Sequence, residues 1–286
     1  MAPEQQYKEI SSRPGISTMV ISGRFAPGAA LACIAPVGFE ALELCLLGGR
    51  QHFDYEDPNT VKELDICARD QGMVIWSVHE QDIPQCLGAD SRAEQDAAAD
   101  EVRRCLEVAH RLGATAIASH LMMNAAFDAD PIEEAQVERR IVERLHELAP
   151  EVRASGARIA FENTGRRTWA SPVALARRMA TLPTDAYGFV LDTGHANLMG
   201  DLDVLMDTFG SRLITVHLDD NHAVKGADEH LPPRMGTVDW AKVRRHLATV
   251  AYQGCFMYEV VGGLDPDQVM GDTMSAHLEI FGAEPA

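Results

Sequence analysis

Eight short runs of apolar and β-branched residues recur along this chain, with longer segments of helical spacing between them. The runs are Ile16–Ile21, Phe39–Leu46, Val74–His79, Ala116–Leu121, Arg158–Asn163, Tyr187–Asp192, Leu213–Leu218 and Cys255–Val260. Each is nearly continuous in hydrophobicity rather than alternating, as in a parallel sheet whose outer face is covered. Between runs, Val102, Cys105, Ala109 and Leu112 recur at spacings of three and four before Gly113. Ile141, Leu145, Leu148 and Val152 do the same before Gly156, so both segments read as helices with a glycine stop. Asp57-Pro58 and Asp130-Pro131 put a capping side chain ahead of a proline suited to the first helical position. Eight strand-then-helix units predict a closed (β/α)8 barrel of the TIM type, an α/β fold. An open doubly wound sheet is the alternative, and it calls for a Gly-rich phosphate turn after the first strand. Ser22-Gly23-Arg24-Phe25 is not one.

The polar residues of these runs gather at their C-terminal ends. Runs three and four end at His79 and His120, run five reads Phe161-Glu162-Asn163, and run six closes with Leu191-Asp192-Thr193-Gly194-His195. Run seven ends Val216-His217-Leu218-Asp219-Asp220, run eight reads Tyr258-Glu259-Val260, and run two carries Glu43. In a closed barrel these ends converge on one face, where active sites of the fold are built. Glu162, Asp192, His217 and Glu259 then make a mixed oxygen and nitrogen donor set, suited to one divalent ion such as Mn²⁺, Mg²⁺, Co²⁺ or Zn²⁺. The competing reading is a buried salt-bridge network. Charge weighs against it, because the strand ends supply almost no Lys or Arg to neutralise three carboxylates.

The stretch from Asp228 to Trp240 follows run seven, where loops arch over the site. With His222 just ahead of it, it offers His222, Asp228, His230 and Arg234 as contacts either to the substrate or to the residues that hold the site. Solvated surface charge explains Asp228 and Arg234 equally well, whereas Leu231-Pro232-Pro233 stiffens the segment presenting His230. Val238-Asp239-Trp240 reads as the opening of the next helix. His110, His146, His246 and His277 fall within helical patterns and read as surface or helix-end residues, and His52 stands in a loop. Trp76 and Trp169 suit pocket lining or core packing alike.

Acidic residues number 43 against 25 basic, a formal net charge of −18, and a field of that sign repels phosphate backbones and anionic membranes. The most apolar stretch, Ala29 to Val37, is broken by Pro36 and falls far short of the roughly 20 residues a spanning helix needs. Met1-Ala-Pro-Glu-Gln-Gln lacks the basic and apolar regions of a signal peptide. Cys33, Cys45, Cys67, Cys86, Cys105 and Cys255 contain no Cys-x-x-Cys pair. They read as reduced thiols acting as small buried hydrophobes in a cytoplasmic protein.

Taken together, these motifs resemble the sugar phosphate isomerase/epimerase superfamily of xylose isomerase-like TIM barrels, over essentially the whole chain. The carrying segments are Phe161-Glu162-Asn163, Leu191-Asp192-Thr193-Gly194-His195, Val216-His217-Leu218-Asp219, Glu229-His230-Leu231-Pro232-Pro233 with Gly236 and Asp239-Trp240, and Tyr258-Glu259. The resemblance implies one divalent metal held by Glu162, Asp192, His217 and Glu259. It also implies that Glu162 and Glu259 act as acid and base on opposite faces of a sugar or sugar phosphate. His195, His120, His230, His79, Glu43, Asp228 and Arg234 are the implied substrate contacts. Proton removal next to a carbonyl leaves an enediolate, which such a metal stabilises by several kcal/mol. Two departures bear on the substrate: Ala223 stands six residues after His217, where the epimerases usually carry arginine, and Arg234 replaces a glycine frequent in relatives.

Endonuclease IV shares the barrel but holds three zinc ions. Counterparts of its ligand types are present as His79, His120, Glu162, Asp192, His195, His217, Asp228, His230 and Glu259. The net charge and the absence of a basic stripe disfavour nucleic acid as the partner. A non-catalytic sugar-binding relative is a third reading. The expected organisation is one TIM-barrel domain over 1–286, with an N-terminal extension at 1–14 and a C-terminal helix and tail at 268–286. The resemblance also admits a homo-oligomer.

Overall fold

A computed structural model describes residues 13–21, 26–46, 53–80, 86–121, 131–164, 171–261, 263 and 265–282. Strands β1 (Pro14–Ser17), β2 (Ala41–Cys45), β3 (Val74–Glu80), β4 (Ala116–Ser119), β5 (Arg158–Glu162), β6 (Tyr187–Asp192), β7 (Leu213–Leu218) and β8 (Phe256–Tyr258) pair in sequential order. All pairings are parallel, and β8 returns to β1, closing the barrel. Between strands run α1 (Pro27–Ile34), α2 (Pro58–Asp70), α3 (Arg92–Leu112), α4 (Pro131–Ser155), α5 (Pro172–Met179), α6 (Thr193–Met199), α7 (Leu202–Phe209) and α8 (Trp240–Thr249); α9 (Pro266–Phe281) follows β8. The fold is the predicted (β/α)8 barrel.

Local chemistry sets the helix ends. Asp57 accepts a hydrogen bond from the Asn59 amide, with Pro58 opening α2. Gly113 ends α3 in the left-handed conformation at φ 66°, and Asp239 caps α8 by accepting from the Lys242 amide. Asp130, His52 and Trp169 lie outside the described residues.

Strand alternation divides the side chains between two layers. Outward residues such as Leu42, Val78, Phe161, Phe189, Leu191 and Tyr258 join the helices in one apolar core. Inward residues low in the barrel are mostly small: Ala116, Ala118, Ala160 and Val190 pack with Ile214, and Ala41, Cys255 and Met257 with Trp76. Two β-bulges adjust this pattern. Leu42 pairs with Ile75 and Glu43 with Ser77, leaving Trp76 as an extra residue on β3. Its indole crosses the interior and donates to Thr215 Oγ1 at 3.1 Å, so Trp76 packs inside the barrel. The slip also brings Ser77 opposite Glu43, and His79 follows two residues on. Ile214 is the matching extra residue on β7.

Several expectations need correction. The first strand was expected to reach Ile21 and ends at Ser17, whose side chain accepts from the Met19 amide and turns Thr18–Val20 into a short 3₁₀ helix. The eighth is three residues long rather than six. His277 is not a surface residue: it is 3% exposed and bonds the Tyr258 hydroxyl at 2.8 Å. Cys45, Cys105 and Cys255 are buried as expected, but Cys33 and Cys86 are exposed. No helix among the described residues is long and apolar enough to cross a membrane.

Candidate metal centre

At the C-terminal face the inward positions change from small and apolar to acidic and imidazole. Glu43, His79, Glu162, Asp192, His217 and Glu259 are each at most 2% exposed. His217 Nδ1 lies 3.0 Å from Glu162 Oε2 and 3.3 Å from Glu259 Oε2. His79 Nδ1 is 2.8 Å from Glu259 Oε1, and its Nε2 is 3.6 Å from Glu162 Oε2. One donor atom from each of His79, Glu162, His217 and Glu259 therefore falls within 4.8 Å of the others. Asp192 groups with Glu162 and His195 instead; His195 Nδ1 is 3.0 Å from Glu162 Oε1 and 3.3 Å from Asp192 Oδ1. The four residues read as one metal set are thus divided between two groups that meet at Glu162, and His79, read as a substrate contact, stands among the donors.

A third group adjoins these two. His195 turns its Nε2 to Asp228 Oδ2 at 3.1 Å, and His230 Nε2 approaches the same oxygen at 3.4 Å. His120 Nε2 lies 3.3 Å from Glu162 Oε2. Glu43 faces the far side of His217, with its Oε2 3.0 Å from Nε2. Arg234, expected at the substrate, pairs with Glu279 on α9, with its side chain exposed. His222 pairs with Glu229 at the surface.

The electrostatics of the cluster follow from burial and the shortage of cations. Burial alone would raise Glu162, but the His120 and His217 imidazoles hold it well below the usual carboxylate range. Glu259 is likewise held low against burial by His217 and His79. Asp192 is driven well up by burial and by the neighbouring Asp219. Burial would lower His195, His217 and His230, yet their carboxylate neighbours push all three well above the ordinary imidazole value. In His120 burial wins and the value falls. Among the described residues, the ion pairs of Glu43, Glu162, Asp192 and Glu259 are all with histidine. Protons on imidazoles are what balances the carboxylates here.

A divalent ion fits that deficit. Glu162 Oε1 and Oε2, Asp192 Oδ2, His79 Nε2, His195 Nδ1 and His217 Nδ1 are buried and make no well-formed hydrogen bond among the described residues; all but Asp192 Oδ2 meet one another only in the ion-pair contacts given above. Coordination to a cation would satisfy several at once, and hard oxygen with imidazole nitrogen is an apt donor mixture.

The loop after β7 is held by residues that sequence reading passed over. Asp220, fully buried, accepts from the amides of Asn221, Arg234 and Val238 and from the Trp240 indole. Asp220 and Leu231 exchange two backbone hydrogen bonds, and Val261 donates to the His230 carbonyl. His230 is thereby kept at φ 45°, a conformation that a non-glycine residue holds only when its surroundings impose it. Its Nδ1 sits 3.0 Å from the Glu259 carbonyl and 3.2 Å from Asp219 Oδ2. Asp219 needs Gly194, since a Cβ there would meet its carboxylate at 2.4 Å. The available signal was the run Asp219-Asp220-Asn221, three polar residues directly after an apolar strand. Ser77, buried beside Glu43, gave no comparable signal.

The chain belongs to the xylose isomerase-like TIM barrel family, whose sequence pattern matches residues 31–279. Among solved structures it is similar to a D-tagatose 3-epimerase-like protein, with a TM-score of 0.76 and 20% identity over 94% of this chain and 98% of that one. The IOLI protein with a binding zinc atom gives a TM-score of 0.77 at 14% identity, covering 94% and 98%. The 3-keto-D-glucoside 4-epimerase YcjR from E. coli gives 0.74 at 17%, covering 93% and 99%. At such identities the shared property is the fold. An uncharacterized protein from Sinorhizobium fredii, y4fM, is 35% identical over 86 residues, a stretch spanning 29% of this chain and only 27% of that protein.

Proposed function

We propose that this member of the xylose isomerase-like TIM barrels is a divalent-metal-dependent isomerase or epimerase of a sugar or sugar phosphate. The observation that carries the reading is the convergence of the Glu162 and Glu259 carboxylates on His217 Nδ1, at 3.0 and 3.3 Å. Glu162, His217 and Glu259 would hold the ion, with Asp192 or His79 completing the set. When bound, the ion supplies Lewis-acid stabilisation of an enediolate, worth several kcal/mol.

The protein's own groups do the rest. Glu162 and Glu259 are both kept ionised by neighbouring imidazoles, the state a base needs to take a proton from carbon. They come from β5 and from the end of β8, so they reach a substrate from different walls of the barrel. One carboxylate takes the proton from carbon on one face, and the other, which must itself first be protonated, delivers a proton on the opposite face; the carbon is inverted and the two groups exchange roles. Return to the adjacent carbon instead interconverts aldose and ketose. His195 hydrogen-bonds a substrate oxygen and is oriented by Asp228; His120 and His230 line the same face. The epimerase activities named for the D-tagatose 3-epimerase-like protein and YcjR support the class of reaction.

A second reading is favoured by the His195–Asp228–His230 group, which adjoins the other two: a multinuclear zinc phosphodiesterase of the endonuclease IV type. Elemental analysis of untagged protein purified without chelator separates the two readings. About one divalent ion per chain, with turnover in a sugar panel supplied with Mn²⁺ or Co²⁺, supports the first. Close to three zinc ions, with cleavage of abasic DNA, replaces it by the second. One bound ion and no turnover across the panel leaves a sugar-binding protein.

A further inference from the structure

We infer that Glu43 is a positioning residue for the metal centre: it fixes His217 in the tautomer that presents Nδ1 to the ion, and Ser77 holds Glu43 in place. The inference rests on the metal-dependent reading above. The two nitrogens of an imidazole point in divergent directions, and in His217 they meet different groups. Nδ1 faces Glu162 and Glu259, whereas Nε2 faces Glu43 Oε2 at 3.0 Å. A neutral imidazole carries one N–H and one lone pair. Where the Glu43 oxygen accepts the N–H of Nε2, the lone pair is left on Nδ1, the nitrogen that faces Glu162 and Glu259.

Ser77 makes the arrangement directional. Its hydroxyl donates to the same Glu43 oxygen at 2.7 Å. Glu43 and Ser77 are register partners across β2 and β3, a pairing created by the bulge at Trp76. Glu43 is fully buried and belongs to none of the candidate donor groups. Its second oxygen is 3.8 Å from His79 Nδ1, too far for a hydrogen bond. Glu43 therefore stands outside the candidate donor groups, and it acts through the ring of His217. Carboxylates placed behind a metal-bound histidine fix its orientation and raise its basicity, and their loss typically costs about 10–100-fold in affinity.

The test compares the unmodified protein with Glu43→Gln and Ser77→Ala. Zinc affinity is measured against a competing chelator, the visible spectrum is recorded with Co²⁺, and histidine tautomers are read by ¹⁵N NMR on the zinc-loaded protein. A glutamine offers both an acceptor and a donor, so the tautomer is no longer imposed. Zinc affinity is expected to fall about tenfold or more in Glu43→Gln and by less in Ser77→Ala, with unchanged stoichiometry, a shifted Co²⁺ spectrum and loss of a unique His217 N–H signal. A purely structural role would move the melting temperature and leave spectrum and tautomer alone. Equal affinity and spectra in all three proteins overturn the inference while the functional reading stands. Loss of a whole ion in Glu43→Gln overturns it too, by making Glu43 a ligand. Absence of metal binding by the unmodified protein removes the functional reading and this inference with it. If Glu43→Gln fails to fold, Ser77→Ala decides on the same readouts.

Discussion

Glu162 and Glu259 illustrate how a single buried side chain is set for its task by its neighbours. Burial opposes their charge, and the imidazoles around them restore it. Replacing either with glutamine keeps shape but removes the base. Turnover is expected to fall by about 10²–10⁴-fold, with the circular dichroism spectrum unchanged, and steady-state assays of each variant check it. The same shifts set a pH dependence for the metal-free protein. His195, His217 and His230 are raised above the ordinary 6.5, so the stability they contribute is complete below that value and is lost as pH climbs through their raised values. Glu162 and Glu259 are lowered from 4.5, so their contribution is present above that value and is lost in acid. Raised Asp192 and Asp219 push in the alkaline-destabilising direction as well. With chelator present, the melting temperature should therefore be lower at pH 9 than at pH 6; a rise would contradict the charge assignment. At this scale most of the site was legible, because carboxylate or imidazole at the end of apolar strand after strand is costly without a purpose. The division of roles was not. Only three-dimensional placement tells that His79 falls within reach of the Glu162, His217 and Glu259 donor atoms, that Glu43 faces the other nitrogen of His217, and that Arg234 pairs with Glu279.

Among the elements, the strands were legible from their continuous hydrophobicity and the helices from spacing and caps, whereas the bulges were not. A bulge adds one residue without changing composition, so nothing in Ile75-Trp76-Ser77 announces that the register slips there. His277 shows a similar limit, since its helix packs its histidine inward onto Tyr258. The loop after β7 is the element that most needs support, and Asp220 supplies it through four donors. Replacing Asp220 with alanine leaves buried donors unpaired at about 1–3 kcal/mol each, so a loss of at least 3 kcal/mol or so is expected in urea unfolding. His230 and Asp228 ride on that loop. The same variant should therefore lower substrate affinity more than it lowers occupancy by a metal that Glu162, His217 and Glu259 would hold, since those residues stand on the strand ends. A variant as stable as the unmodified protein would show that the loop is held elsewhere.

For the molecule as a whole, the sequential closure of eight strands brings residues as distant as Glu43 and Glu259 into one cluster, and it gives that cluster no Lys or Arg partner among the described residues. The fold thus buries a set of carboxylates balanced only by imidazole protons at the C-terminal face of a chain whose net charge is already −18. Metal binding should be felt globally. An ion that binds only the native state at about a thousandfold excess over its dissociation constant adds roughly 4 kcal/mol. At about 2 °C per kcal/mol for a chain of this size, the melting temperature should drop by roughly 8 °C when chelator removes it. Protonated imidazoles and carboxylic acids must shed their protons to bind, so the difference between loaded and stripped protein should widen as pH rises from 6 to 8. Calorimetric melts of both forms across that range check the prediction, with Glu162→Gln as the control that should abolish most of the shift. An unaltered melting temperature in chelator would mean that the imidazoles and carboxylates satisfy one another without an ion.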